Sequence, residues 1–167
     1  MMNHDDRLVR LVTEHEGTRY YVYDDHTGEP IRGGSLVWGN PTIGIGRNLA
    51  GKGITAEEAA YLLDNDIQEA VRTLAKNLAW FVAIDEVRAA ALIDMQINMG
   101  WKDFSEFTPF FNFLALKDYY GAAEDLKATK WYAQNHGGKP DSRAAHVYAM
   151  IKTGQWPDEV LEGGTHV

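Results

Sequence analysis

The 167-residue chain carries a formal net charge of −8, and 45% of its residues are hydrophobic, 24% charged and 11% aromatic. This composition indicates a folded globular domain with a sizeable core and argues against intrinsic disorder. The acidic balance disfavours nucleic acid as a partner, because binding to phosphate backbones depends on clustered Lys and Arg, and the absence of cysteine excludes disulfides and thiolate ligands.

The N-terminal segment, MMNHDDRLVRLVTEHEG, has no basic stretch followed by an uninterrupted apolar run. No later segment approaches the roughly 18 apolar residues of a membrane span. We therefore expect synthesis in the cytoplasm and no stable membrane insertion.

The first predicted element is a short helix, because Leu8, Leu11 and Val12 recur at helical spacing and Gly17 stands where a helix commonly ends. The alternation in TRYYVYDD then predicts a strand. Strand-like segments in SLVWGNPTIGIGRN complete a small antiparallel sheet over residues 18–50.

From Thr55 the apolar residues follow a helical period, and TAEE forms a capping box from Thr55 to Glu58, so a long helix is predicted over 55–79. A second helix, apolar nearly all round, begins after Asp85 as N-cap and is predicted to stop at Gly100.

Three more helical segments follow along the chain. The first opens with Thr108 as cap and Pro109 at the first helical position, and the second and third begin near Asp118 and Ser142. Their sequences are TPFFNFLAL, DYYGAAEDLKATKWY and SRAAHVYAMIKTGQW.

These elements predict a single domain of the α+β class. It consists of a small N-terminal antiparallel sheet lobe, a larger helical lobe and a long helix that joins them. The predicted ranges are 18–50 for the sheet lobe, 1–17 and 80–156 for the helical lobe, 55–79 for the connecting helix and 157–167 for a tail.

Four acids lie at the end of the first predicted helix and the end of the first predicted strand: Glu14, Glu16, Asp24 and Asp25. Two acids on either side of a glycosidic bond are the minimum that its hydrolysis requires. Helical phase places Glu16 on the apolar stripe and Glu14 about 200° away from Val12, so Glu16 is predicted to point inward and Glu14 to water. The negative end of the helix favours a protonated Glu16, as a general acid requires.

Strand alternation sorts the other two acids. Asp25 lies at the solvated end of the strand, where a carboxylate stays ionised, and Asp24 faces the opposite side as a surface charge. In PTIGIGRNL, Thr42 precedes a strand in which Gly44 and Gly46 leave a face without side chains, suited to a polymer lying against the backbone.

The series Glu16-Gly17, Asp25 and Thr42-Ile-Gly-Ile-Gly resembles the phage-type lysozymes, the endolysins of glycoside hydrolase family 24, and the resemblance covers roughly residues 8–156. It implies a lysozyme-like fold without cofactor or metal. It also implies a muramidase that hydrolyses the β-1,4 bond between N-acetylmuramic acid and N-acetylglucosamine in phage-induced cell lysis. A holin would release this enzyme from the host cytoplasm, and it would act on the cell wall in the periplasm. We expect a monomer.

The resemblance also assigns roles to individual residues. Glu16 is the proton donor, Asp25 the base and Thr42 the hydroxyl that holds the attacking water, while Arg143 pairs with Glu16 across the cleft. The glycan site is lined by Gly46, Asn48, Ile97, Asn98 and Gly100.

The chain departs from the family in two places. The hairpin between Asp25 and Thr42 is longer and contains Trp38, and the Gly-rich surroundings predict that this side chain is exposed and available to stack on a sugar. Arg47 stands where the family has histidine, so an ion pair between Arg47 and Asp66 is expected in place of a His–Asp pair.

Other readings are open or weak. A lytic transglycosylase needs the acid but no separate base, and a non-catalytic glycan-binding module or virion structural protein could keep the same fold. The stretch GRNLAGKGIT lacks the Ser or Thr that a phosphate-binding loop places after its lysine. The six histidines show no metal-ligand spacing, so no metal site is expected.

Overall fold

The computed structural model describes residues 6–161. Its strands are β1 (Arg19–Asp24), β2 (Pro41–Gly44) and β3 (Arg47–Asn48). Its helices are α1 (Asp6–Glu16), α2 (Leu49–Lys52), α3 (Ala56–Asn77), α4 (Glu86–Phe104), α5 (Thr108–Ala115), α6 (Tyr119–Lys127), α7 (Lys130–Gln134), α8 (Arg143–Thr153) and α9 (Asp158–Leu161), with a 3₁₀ turn at Phe81–Ala83. The predicted α+β class is confirmed.

The chain forms two compact units, residues 1–59 and 60–167, and the boundary falls in the first turn of α3. The predicted lobe ranges stay a prediction. Of these, residues 1–5 of the N-terminal helical segment and residues 162–167 of the tail lie outside the described residues. None of the helices within residues 6–161 has both the length and the apolar character that a bilayer span requires.

The first unit contains the predicted antiparallel sheet, in the order β1-β2-β3. Thr42 lies opposite Tyr23 of β1 and Asn48 of β3 and so occupies the middle of the sheet. The helix that precedes the sheet ends as predicted, because the N–H of Gly17 donates to the carbonyl of Thr13 at 2.9 Å.

One side of α1 lies beside the turn between β2 and β3. Leu8, Val9, Val12 and Thr13 line a shallow pocket of about 320 Å³ together with Ile45 of that turn. This contact places the end of α1, and with it Glu16, next to the glycine-rich part of the sheet.

The capping box that the sequence predicts at the start of α3 is confirmed. The N–H of Thr55 donates to the carboxylate of Glu58 at 2.8 Å, and the N–H of Glu58 donates to the hydroxyl of Thr55 at 3.2 Å. Two helix-terminal donors are thereby satisfied reciprocally. The short helix α2 just before it was not predicted from the sequence.

The second unit has a continuous hydrophobic core built from α3 to α8. Aromatic rings fill its centre, since the ring of Phe104 packs edge-on against Phe111 and Phe107 at centroid distances of 5.0 and 5.6 Å. The largest fully buried side chains are those of Phe104, Phe110, Leu74, Leu92, Met95, Leu126 and Ile151.

The central helix α4 begins as predicted, because the N–H of Arg88 donates to the carboxylate of Asp85 at 3.1 Å. Gly100 interrupts its helical geometry with φ 74° and ψ 161°. The predicted stop at Gly100 is therefore a break, after which one further turn brings Phe104 into the core.

Two details of the later helices differ from prediction. The predicted segment that starts near Asp118 is two helices, α6 and α7, because the hydroxyl of Thr129 accepts from the N–H of Tyr132 at 3.1 Å and starts a new helix. Thr108 is the first helical residue of α5 rather than its cap, and the capping residue Phe107 makes no side-chain bond there.

The last long helix, α8, begins after Ser142, whose hydroxyl accepts from the N–H of Ala145 at 3.2 Å. This cap fixes the position of Arg143 at the first helical residue. The predicted tail 157–167 contains the short helix α9.

Candidate active site

Glu16 is the last residue of α1, and its side chain is exposed like that of Glu14. It is not the inward-pointing acid that helical phase predicts. The exposure is a property of the whole helix, because no residue of α1 is buried and Leu8, Leu11 and Val12 of the apolar stripe are themselves 43–51% exposed.

The neighbour that distinguishes Glu16 from Glu14 is Gly46. The Glu16 carboxylate lies over the backbone of Gly46, so that a Cβ there would be 3.1 Å from Cδ and 3.4 Å from Cγ of the acid. The predicted glycan-site residue Gly46 is therefore in place beside the predicted proton donor.

Asp25 lies in the turn after β1, and both of its carboxylate oxygens are held by Asn40. The N–H of Asn40 donates to Oδ1 at 2.6 Å, and Nδ2 of the same residue donates to Oδ2 at 3.1 Å. These two bonds, backbone first, hold the pKa of Asp25 below its usual range, with slight burial and the Asp24 charge acting in the opposite direction. Asp25 is thus an exposed, ionised carboxylate.

Thr42 is buried, with 3% of its surface exposed, in the middle strand β2. Its hydroxyl donates to the carbonyl of Asn40 at 3.2 Å. Since that bond uses the hydroxyl's only proton, the oxygen has lone pairs left to accept a further hydrogen bond. Asp25 and Thr42 are connected through one residue, Asn40.

The prediction that Asp24 is a surface charge is wrong, because only 2% of its surface is exposed. Its Oδ1 accepts from the N–H groups of His26, Thr27 and Gly39 at 2.8, 3.3 and 3.0 Å, and its Oδ2 accepts from the N–H of Trp38 at 2.6 Å. Burial raises the pKa of Asp24, but these four backbone donors lower it by more, and the carboxylate stays charged.

The two neighbouring aspartates also fail to separate onto opposite faces as strand alternation predicts. A Cβ at Gly39 would come within 2.2 Å of Oδ1 of Asp25 and 2.7 Å of Oδ1 of Asp24, so both carboxylates meet at this glycine. Alternation does not apply because β1 ends at Asp24, and Asp25 already belongs to the turn.

The insertion after Asp25 starts as an additional hairpin along the free edge of β1. The N–H of Gly28 donates to the carbonyl of Asp24 at 2.7 Å, and the N–H of Ile31 donates to that of Val22 at 2.9 Å. Further along, Trp38 has 77% of its side chain exposed while its backbone is fixed by Asp24. The structure therefore presents this tryptophan to solvent from an anchored backbone.

The two residues after Gly46 have structural contacts. The guanidinium of Arg47 binds the carboxylate of Glu58 and donates from Nε to the carbonyl of Gly53 at 2.9 Å. The predicted pair with Asp66 is therefore wrong, since the observed partner Glu58 lies about two helical turns before Asp66 on α3. The side chain of Asn48 accepts from the N–H of Gly51 at 2.7 Å and caps α2.

The remaining predicted residues belong to the second unit. Nε of Arg143 lies 3.5 Å from Oδ2 of Asp94, a contact that the sequence did not suggest. The Asp94 side chain is 42% exposed as a whole, but its Oδ2 is buried and accepts no hydrogen bond from the described residues. Burial raises the pKa of Asp94, and Arg143 only partly offsets this. The pairing of Arg143 with Glu16 stays a prediction.

Ile97, Asn98 and Gly100 lie together near the break in α4. Oδ1 of Asn98 accepts from the indole N–H of Trp131 at 2.8 Å, which fixes that side chain. Ile97 is 41% exposed and lines a pocket of about 300 Å³ with Gly100, in which the other residues are Asp66, Glu69, Ala70 and Gln96.

A family model described as phage lysozyme matches residues 13–144, from the end of α1 to the start of α8. The chain belongs to the phage lysozyme family. The match includes Glu16, Asp25, Thr42 and Arg143.

In this phage lysozyme, two small groups lie within the first unit: Glu16 with Gly46, and Asp25 with Asn40 and Thr42. The family acts on peptidoglycan, so the protein is a peptidoglycan-degrading endolysin of the glycosidase type. The burial of Asp24 and the contacts of Asn40 and Asp94 were not predicted from the sequence. Only Asn40 had a usable signal, because it stands between a conformationally permissive glycine and a proline.

Proposed function

We propose that this lysozyme is an inverting muramidase that hydrolyses the β-1,4 bond between N-acetylmuramic acid and N-acetylglucosamine. The observation that carries the proposal is the ionised Asp25 carboxylate, joined through Asn40 to the Thr42 hydroxyl in the same unit as Glu16. An exposed carboxylate and an adjacent hydroxyl acceptor are the groups that water activation needs.

The steps follow from the chemistry of these groups. Glu16 donates its proton to the glycosidic oxygen as the bond to the anomeric carbon breaks. A water held by Thr42 attacks that carbon from the opposite face, and Asp25 accepts the water's proton. The product is a reducing end of inverted configuration. Glu16 then regains a proton from solvent and Asp25 releases one to solvent, which restores both groups.

Inversion requires room for a water molecule between the two carboxyl groups. We therefore expect a separation of roughly 6.5–9.5 Å between those of Glu16 and Asp25 in the substrate complex, whereas about 5 Å would indicate a covalent intermediate. Nuclear magnetic resonance of the products immediately after cleavage of a soluble glycan would show which anomer forms first.

The test of the reaction uses Glu16→Gln and Asp25→Asn beside the unaltered protein and Glu14→Gln. Glu14 is the matched control, because it is also exposed on the same helix and the atoms nearest to a Cβ at Gly46 belong to Glu16. We expect each catalytic substitution to lower clearing of outer-membrane-stripped Gram-negative cells by roughly 10²–10⁴-fold, and Glu14→Gln to leave it unchanged.

The products distinguish the other readings. Reducing ends in digested peptidoglycan support the hydrolase, and anhydro-muramyl ends would instead identify a lytic transglycosylase. Full clearing by folded Glu16→Gln would contradict catalysis by this acid and would favour a non-catalytic glycan-binding role.

We further propose, from membership of the family, that the enzyme is made in the cytoplasm of the host, acts as a monomer and reaches the wall in the periplasm once a holin opens the inner membrane. We expect cells that express the protein with a holin to lyse and cells that express it alone to survive.

The oligomeric state is tested by light scattering in solution, which should give the mass of a monomer. The net charge of −8 predicts weak electrostatic attraction to the anionic wall.

A further inference from the structure

Asn40 makes four hydrogen bonds to the two residues proposed to activate water. Its N–H and Nδ2 donate to Oδ1 and Oδ2 of Asp25 at 2.6 and 3.1 Å. Its carbonyl oxygen accepts from the N–H of Asp25 at 3.1 Å and from the hydroxyl of Thr42 at 3.2 Å. The backbone N–H, the backbone carbonyl oxygen and Nδ2 of Asn40 are all used in these bonds, and the side-chain oxygen takes no part in them.

Two donors on one residue fix the plane of a carboxylate, because a single bond would leave the carboxylate free to rotate about it. Pro41, which follows, disfavours the helical conformation for Asn40 and so restricts the backbone that carries three of the four bonds. The carbonyl of Asn40 in turn directs the hydroxyl proton of Thr42 away from any water that the oxygen receives.

We propose that Asn40 is a positioning residue for hydrolysis, which holds the Asp25 carboxylate and the Thr42 hydroxyl in one fixed arrangement around the attacking water. The inference rests on the proposed function, because it assigns to Asn40 the orientation of the proposed base.

The charges around Asp25 determine what the side-chain amide contributes. Asp24 raises the pKa of Asp25 by repulsion and His26 lowers it, while the two donors of Asn40 lower it most. Removal of the amide leaves the backbone donor but weakens this effect, so the pKa of Asp25 should rise. A base that must be ionised would then lose activity at a higher pH on the acid side of the profile.

The variants are Asn40→Ala, which removes the amide, and Asn40→Asp, which keeps the shape but replaces the donor by an oxygen. Asn112→Ala on α5 is the control, since Asn112 is an exposed asparagine outside the site. The assay measures kcat and KM on soluble uncross-linked peptidoglycan strands over a range of pH, and circular dichroism verifies folding.

We expect Asn40→Ala to lower kcat about tenfold with KM nearly unchanged, as loss of one hydrogen bond to a charged group implies. The acid limb of the profile should move to higher pH, and further for Asn40→Asp. A merely structural role would lower stability without moving that limb. Folded Asn40→Ala with wild-type kcat and an unmoved limb would overturn the proposal.

A measurement on the unaltered protein keeps the proposal testable if both variants misfold. The side-chain amide resonances of Asn40 should shift over the pH range in which Asp25 titrates. This shift should be absent in Asp25→Asn, which has no carboxyl group at position 25. Constant amide resonances through that titration would contradict the contact. Wild-type activity of Asp25→Asn would instead refute the role of Asp25 as the base. Because the Asn40 resonances report the contact with Asp25 whether or not Asp25 is the base, the failure of the contact and the failure of the proposed function can be told apart.

Discussion

The carboxylate of Glu16 and the backbone of Gly46 are in contact, and a Cβ at position 46 would lie 2.7 Å from Oε2 of the acid. Gly46 has φ 72°, in the left-handed region that favours glycine. Conformation and space therefore both disfavour a side chain at this position, and a Cβ there would require the Glu16 carboxylate to move.

Gly46→Ala should lower both stability and activity. The positive φ costs about 1–3 kcal/mol for a residue with a Cβ, and the methyl group displaces the Glu16 carboxylate. Urea unfolding and cell clearing measure the two effects separately.

Gly53→Ala is the matched control for this substitution. Gly53 lies outside the predicted glycan face and has a similar φ of 61°, but a Cβ there would meet nothing within 4 Å. We expect the same loss of stability with activity largely retained. Equal loss of activity in the two variants would show that backbone strain, and not the contact with Glu16, is responsible.

Asp24→Asn should loosen the insertion after Asp25. The amide can accept hydrogen bonds through one oxygen only, so some of the four backbone donors lose their partner. Faster proteolysis within residues 28–37 and a lower urea midpoint are expected at neutral pH. Glu29→Gln, an exposed acid in the same segment, is the control.

The effect of Asp24→Asn should also depend on pH. Burial raises the pKa of Asp24, but the backbone donors outweigh it, so the pKa is lower in the folded than in the unfolded chain. The stability that the charge contributes is fully present above the usual carboxyl range and is lost as pH falls through the folded pKa. The difference between the two proteins should shrink on acidification; a difference that grows would contradict this assignment.

Trp38→Ala tests stacking on the glycan. Loss of an aromatic platform should raise KM for long glycan strands by roughly two- to tenfold with kcat unchanged. Leu36→Ala is the control, because Leu36 is 81% exposed in the same loop but has no ring. Equal effects of the two substitutions on KM would show that general apolar contact, and not stacking, binds the sugar.

Arg88→Ala should destabilise the second unit by about 2–3 kcal/mol, the scale of hydrogen bonds to a charged group. The guanidinium donates from Nε to the carbonyl of Ile151 at 2.7 Å, pairs with Asp85 at 2.8 Å and lies 3.6 Å from the centre of the Tyr119 ring. It thereby caps the end of α8. Thermal unfolding measures the loss.

Arg88→Lys should rescue little of this stability, because an ammonium group can neither reach several acceptors at once nor stack on the ring as a planar guanidinium does. Full recovery with lysine would indicate that charge alone matters at this position.

Local signals in the sequence predicted most of the secondary structure. The capping box from Thr55 to Glu58 and the cap at Asp85 are formed by residues three positions apart, and the structure confirms both. Such contacts are encoded within one helical turn and need no knowledge of the rest of the fold.

Contacts between distant residues were not predictable in the same way. The donors to Asp24 include Trp38 and Gly39, fourteen and fifteen residues along the chain, so nothing near Asp24 marks it as buried. Arg47 shows the same limit, since α3 carries several acids and only the structure identifies Glu58 as the partner. The roles of Glu16, Asp25, Thr42 and Arg143 stay predictions.

The four donors to Asp24 come from two places, residues 26–27 at the start of the insertion and residues 38–39 at its end. One carboxylate thus closes the loop at its neck, and the length of chain between the two ends is largely independent of the geometry at Asp25. Doubling that length would cost only about 0.6 kcal/mol in closure entropy. The tip of this loop is accordingly the place where a wall-binding peptide could be grafted without rebuilding the turn that holds Asp25.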